Sequence, residues 1–96
     1  MKVTIKQAFS ILDGRLSTSM DDVYQILNFI TGENLFTHQL VLAMDLLNKR
    51  NPEWFVKSKQ KLEKIKKDCG SDDFQTLMDY IDEKYPNMKI ELERLN

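Results

Sequence analysis

A chain of 96 residues with 42% hydrophobic and 30% charged content is on the scale of one globular domain and excludes a disordered chain. No apolar run approaches the roughly 18 residues of a membrane span, and the start, Met1 to Lys6, lacks the apolar stretch of a signal peptide. Net charge is −1, yet it is segregated: −2 over residues 1–48, +6 over residues 49–67 and −5 over residues 68–96.

The chain contains three glycines and two prolines, so few breaks interrupt its helical periodicity. Thr4 with Gln7 forms a capping box and predicts a helix from Ile5 to about Asp13, with Ile5, Ala8, Phe9 and Leu12 as its apolar stripe. Gly14 stands where a left-handed C-terminal cap belongs. Ser19 with Asp22 signals the next start. Met20, Val23, Ile26, Leu27 and Ile30 follow at helical spacing, and Gly32 ends that helix. Thr37 is the expected N-cap of a third helix running through Lys49. Leu40, Val41, Ala43, Met44, Leu46 and Leu47 make it apolar around much of its circumference, which marks it as the expected central helix.

Asn51-Pro52 reads as an N-cap followed by proline at the first helical position, opening a fourth helix to about Asp68, with Gly70 after it. Trp54, Phe55, Leu62, Ile65 and Cys69 share its apolar face, flanked by Lys57, Lys61 and Lys64 on one side and Lys59 and Lys66 on the other. Ser71-Asp72-Asp73 opens a fifth helix with carboxylates at its positive end. Its core stripe is Phe74, Leu77, Met78 and Ile81, and Tyr85-Pro86-Asn87 closes it. The first and last segments, Met1 to Ile5 and Met88 to Leu92, alternate apolar and polar. They can pair as a minimal two-strand sheet over a helix, or the tail can form a last helical turn. The expected fold is mainly α: one domain over residues 1–96, a compact bundle of about five short helices, with that strand pair as an option.

The chain has one histidine and one cysteine, which excludes multi-histidine metal sites, a self-contained structural zinc site and an internal disulfide. The single Cys69 fits a reducing, cytosolic setting. There is no phosphate-binding glycine loop and no dinucleotide fingerprint. The pairs Asp21-Asp22 and Asp72-Asp73 lie in first turns, where the helix dipole favours carboxylates. Neither enzyme activity nor a cofactor is expected.

The segment from Ile30 to Leu40 is the most informative. It joins two helices, and it holds the lone histidine and one of the five phenylalanines, Phe36, just after Phe29. His38 either packs against Phe36 and bonds within its turn, or contacts a ligand or partner. Gln39 offers a donor and an acceptor, and the helix start offers backbone N–H groups to an anion. Tyr24 and Asn28 share one face of the preceding helix. Phe29 and Phe36 read as core, while Tyr24 is balanced between core and an exposed rim. The candidate partner- or ligand-binding set is therefore Arg15, Tyr24, Asn28, Phe36, Thr37, His38 and Gln39. Lys57, Lys61 and Lys64 form a basic face that reads mainly as solvated surface; as a nucleic-acid contact it would be strongly salt-dependent.

Three blocks carry a resemblance: Ile5-Lys6-Gln7-Ala8-Phe9 with Asp13-Gly14-Arg15-Leu16; Asp21-Asp22-Val23-Tyr24-Gln25-Ile26-Leu27-Asn28; and Thr31-Gly32-Glu33-Asn34-Leu35-Phe36-Thr37-His38-Gln39-Leu40. Over these blocks the chain from Lys2 to about Trp54 resembles a family of small uncharacterised bacteriophage proteins. Related chains often continue the last block with Pro-Arg, whereas Val41-Leu42 stands here. The resemblance covers about half the chain and implies origin rather than activity: a phage or prophage accessory protein in the cytoplasm of the bacterial host. On that footing the expected function is non-enzymatic binding and inhibition of a host protein, defence-related or metabolic. The alternatives are an oligomer that sequesters a nucleotide signal and a nucleic-acid-associated regulator. A homodimer through the third helix, or through a wedge at Trp54 and Phe55, is also expected, since the third helix is apolar on more than one face.

Overall fold

The capping box at Thr4 sets the geometry of the amino end. In the computed structural model, which describes residues 1–95, the Thr4 side chain accepts from the Gln7 backbone N–H while the Gln7 side chain accepts from that of Thr4. Helix α1 (Ile5–Asp13) therefore starts directly at the end of strand β1 (Lys2–Thr4). Strand β2 (Lys89–Glu91) returns antiparallel to β1, pairing Lys2 with Glu91, Val3 with Ile90 and Thr4 with Lys89. Backbone bonds from Ile5 to Met88 and from Leu92 to Met1 extend the pairing at both ends. The tail thus forms the strand rather than a helical turn. Val3, Ile90 and Leu92 are buried, and α1 packs against both strands, supplying the support that two strands alone lack.

Between them lie α2 (Met20–Thr31), α3 (Gln39–Arg50), α4 (Glu53–Cys69) and α5 (Phe74–Lys84). Ser19 caps α2 by accepting from the Asp22 N–H, and Asp73 caps α5 by accepting from that of Thr76. Gly14, Gly32 and Gly70 close α1, α2 and α4 in left-handed conformations. At Gly14 φ is +95° with open space around the position of a Cβ, so the only obstacle to a side chain is the backbone itself. Gly14→Ala is expected to cost about 1–2 kcal/mol, read as a shift in the urea midpoint at unchanged slope.

The central helix is α1, not α3 as expected from the sequence. Ile5, Ala8, Phe9, Ser10, Ile11 and Leu12 are all buried, and α1 packs on α2, α4, α5 and the strands. Helix α3 buries only the line Leu40, Ala43 and Leu47, while Val41 and Leu42 are 66% and 64% exposed. Apolar residues around a helix signal available hydrophobic surface; whether that surface is covered depends on neighbours, and α3 lies at the edge, against α2.

Two further expectations change at helix ends. Thr37 does not cap α3: the N-cap position is His38, in a right-handed helical conformation with no side-chain cap bond, and Thr37 is engaged elsewhere. Asn51 is not the N-cap of α4. It takes a left-handed conformation, φ +49°, and its N–H caps the Leu47 carbonyl at the end of α3, leaving Pro52 as the N-cap of α4. Asparagine tolerates both roles, and two helices separated by two residues leave room for one of them. The expected wedge at Trp54 and Phe55 is also closed to a dimer, since both side chains are in the core.

Candidate functional site

The loop between α2 and α3 is built by the polar residues that the sequence marked as candidate contacts. Asn28 Oδ1 accepts from the Leu35 N–H at 2.9 Å, and Gln39 Oε1 accepts from the Phe36 N–H at 2.8 Å. The Tyr24 and Thr37 hydroxyls share a hydrogen bond across the loop. Phe36 and Thr37 carbonyls then accept from the N–H groups of Gln39 and Leu40, winding the chain into α3. Four candidate residues thus come together, with the Asn28 and Gln39 amide oxygens and the Tyr24 and Thr37 hydroxyls bonded within the loop.

Two side chains are displayed by this scaffold. Phe36, expected in the core, is 70% exposed. It stacks on His38, with ring centroids 6.1 Å apart and planes 7° from parallel. The tight Phe36–Gln39 turn directs this ring outward, and its own stacking partner is also exposed. Phe29 differs: it is partly buried against the core, with the Arg94 guanidinium 5.3 Å above its ring.

Arg15 does not join the loop. Its guanidinium bonds Asp13 at 2.6 Å and Asp72 at 2.9 Å, and lies over the Phe9 and Phe74 rings. Lys66 meets the same Asp13 carboxylate at 2.7 Å and approaches Asp72 at 3.5 Å. This cluster ties α1, α4 and the start of α5 together. Burial pushes the Asp13 carboxyl upward, but the hydrogen bonds and charges of Arg15 and Lys66 outweigh that and hold it at about 2. One lysine of the basic block is thereby matched to carboxylates outside it.

The basic face is separate again. Lys57, Lys61 and Lys64 are exposed on the outer side of α4, with Lys57 paired to Glu53 at 3.0 Å. Next to it, a polar cleft of about 930 Å³ runs between the end of α4 and the start of α5. Lys64, Lys66 and Lys67 line it, but so do Glu63 and Asp72, so an entering anion meets mixed charge.

Helix α3, apolar on more than one face in the sequence, leaves part of that surface uncovered; what sequence reasoning missed is the pair of depressions beside it. On one side, a groove of about 480 Å³ runs between the α1–α2 connection, α2 and α3. Leu16 and Met20 form one wall, Val41 and Met44 the other, over a floor of Val23, Leu27 and Leu40. Leu16 and Met20 are 53% and 43% exposed. On the other side, a smaller hollow of about 210 Å³ lies beside Leu35, Leu42 and Leu46. Helix α3 is thus a ridge between two apolar depressions. The signal for it was the all-round apolar pattern of α3; Leu16 gave none, and Met20, at the head of the apolar stripe of α2, stands at the groove rather than in the core.

Among the described residues no group of three or more His, Cys, Asp or Glu side chains gathers as a metal site, and no helix is long and apolar enough to cross a membrane. The family model for a domain of unknown function, DUF7736, matches residues 3–58. No curated protein and no solved structure matches the chain.

Proposed function

The chain belongs to the DUF7736 family, whose matched region runs from β1 into α4, and from that premise we propose that it is a non-enzymatic protein that binds another protein through the α3 ridge. The observation that carries this reading is the exposure of Phe36, Val41 and Leu42, each at least 64% accessible, on one helix and the turn leading into it. Contiguous apolar exposure on so small a chain favours a protein contact, because burying it on association recovers the hydrophobic energy that folding left unused. Aromatic and aliphatic anchors of this kind carry most of the energy in protein interfaces.

The partner in this reading is a bacterial host protein, defence-related or metabolic, inhibited in the host cytoplasm by a phage-derived accessory protein. The resemblance of the amino half to small phage proteins supports that origin. The nucleotide-sequestering alternative has less support: Arg15 is held by Asp13 and Asp72, away from the loop, and the Asn28 and Gln39 amide oxygens are bonded to the loop backbone. The nucleic-acid alternative rests on exposed Lys57, Lys61, Lys64 and Lys67, whose helix also exposes Glu53 and Glu63.

The test is affinity capture from bacterial lysate with the wild-type chain, Phe36→Ser and Leu42→Asp. Both positions are exposed, so each variant is expected to keep its stability within about 0.5 kcal/mol. One host protein retained by the wild type and lost with both variants is the expected result. Equal retention by all three chains would remove the ridge as the contact surface.

A further inference from the structure

The groove beside α3 has a chemical character that narrows what enters it. Its polar lining atoms are mostly bonded internally. Ser10 Oγ bonds Ser17, whose hydroxyl reaches the Lys6 carbonyl, and the Thr37 hydroxyl bonds Tyr24. A polar small molecule therefore finds few free partners there, whereas apolar side chains find leucine, valine and methionine on three sides.

Its free charges lean one way. From Leu16 to Asn48 the sequence contains Asp21, Asp22, Glu33 and Asp45 and not one Lys or Arg, and Arg15, between the lining residues Gly14 and Leu16, is paired to Asp13 and Asp72. Asp45 lines the groove itself, and exposed Asp21 follows the wall residue Met20. The groove is bounded by two helices, α2 and α3, each 12 residues long, and by the α1–α2 connection. A helix laid between two helices can bury a stripe at i, i+3, i+4 and i+7 along such a channel.

We infer that this groove receives an amphipathic helix of the partner protein, apolar face down, with Lys or Arg along its edges facing Asp45 and Asp21. This rests on the docking reading above and specifies the partner segment. Carboxylates at the rim select a basic helix over an acidic one and speed its encounter, while the methionine and leucine walls supply the affinity.

Three synthetic 18-residue helical peptides test it by fluorescence anisotropy: a leucine stripe with lysine elsewhere, the same stripe with glutamate elsewhere, and a scrambled leucine–lysine peptide of identical composition. The leucine–lysine amphipath is expected to bind at least tenfold tighter than either control. Val41→Asn is expected to weaken it at least fivefold, and Asp45→Lys to reverse the preference toward the glutamate peptide. Methyl NMR is expected to shift Leu16, Met20 and Val41. Equal binding of the two amphipaths, equal binding of the scramble, or shifts confined to acidic α5 would overturn the inference. So would self-association of the chain that Val41→Asn abolishes, which would give the groove to a second copy. If Leu42→Asp removes host-protein capture while Val41→Asn and Asp45→Lys do not, the ridge stands as a contact surface and the groove does not.

Discussion

Phe9→Ala is expected to destabilise the protein by about 3–5 kcal/mol, the range for truncating a fully buried aromatic residue. Phe9 is completely buried on the central helix, with its ring edge-on to Phe74 at 5.9 Å and the Arg15 guanidinium 5.5 Å from its centroid. Truncation would open a cavity where α1 meets the start of α5 and remove the surface on which Arg15 rests. For a domain of ordinary stability, about 5–15 kcal/mol, that is a large share of the total. Urea unfolding of the two chains at neutral pH measures it. A loss below about 1.5 kcal/mol would show that the surrounding side chains collapse into the space.

Asp13→Asn is expected to cost about 2 kcal/mol at neutral pH, and the cost is expected to vanish in acid. The Asp13 side chain is only 10% exposed and bonds both Arg15 and Lys66. These partners bring its carboxyl from 3.8 down to about 2, which corresponds to about 2 kcal/mol of folding free energy. A carboxyl whose pKa is lower in the folded state stabilises the fold fully above its unfolded value. That stabilisation falls away as pH drops from about 4 towards 2, because the folded protein then takes up the proton that the unfolded chain already holds. Stability curves of the wild type and Asp13→Asn should therefore be separated at pH 7 and converge near pH 2. Parallel curves across that range would mean that the asparagine acts through packing, not charge.

Phe9 and Asp13 stand one helical turn apart and share one face of α1. Phe9 and Asp13 fix α1 against α4 and α5, which holds the half of the molecule that carries no exposed apolar ridge. Helix α3 is anchored by a single buried line, Leu40, Ala43 and Leu47. Its outer residues therefore can change without loss of the fold, which is what separates contact variants such as Leu42→Asp from core variants such as Phe9→Ala.

Helix starts and stops were legible in the sequence wherever the signal closes on itself within a few residues. Thr4 with Gln7 and Ser19 with Asp22 make their bonds inside one turn, so no distant contact can reassign them; Asp72 and Asp73, expected in the first turn of α5, instead precede it, with Asp73 as its N-cap. The alternation of Met1 to Ile5 and Met88 to Leu92 likewise carried the strand pair, although the choice against a helical tail needed α1 beneath it. The candidate loop was legible as a place but not as a role. Tyr24, Asn28, Thr37 and Gln39 offer the same polar groups to a ligand or to the loop itself; the fold turns the Asn28 and Gln39 amide oxygens to the backbone and the Tyr24 and Thr37 hydroxyls to each other.

Composition and local pattern determined that this chain is a helical bundle with capped ends and segregated charge. The tertiary structure alone decided that α1 rather than α3 is enclosed, that Phe36 faces outward, and that Arg15 and Lys66 converge on Asp13. The reason is physical: hydrogen bonds of a cap or turn are set by neighbours in the chain, whereas burial and ion pairing depend on which distant surfaces meet. An apolar helix surface has the same sequence pattern whether the fold covers it or leaves it for a partner.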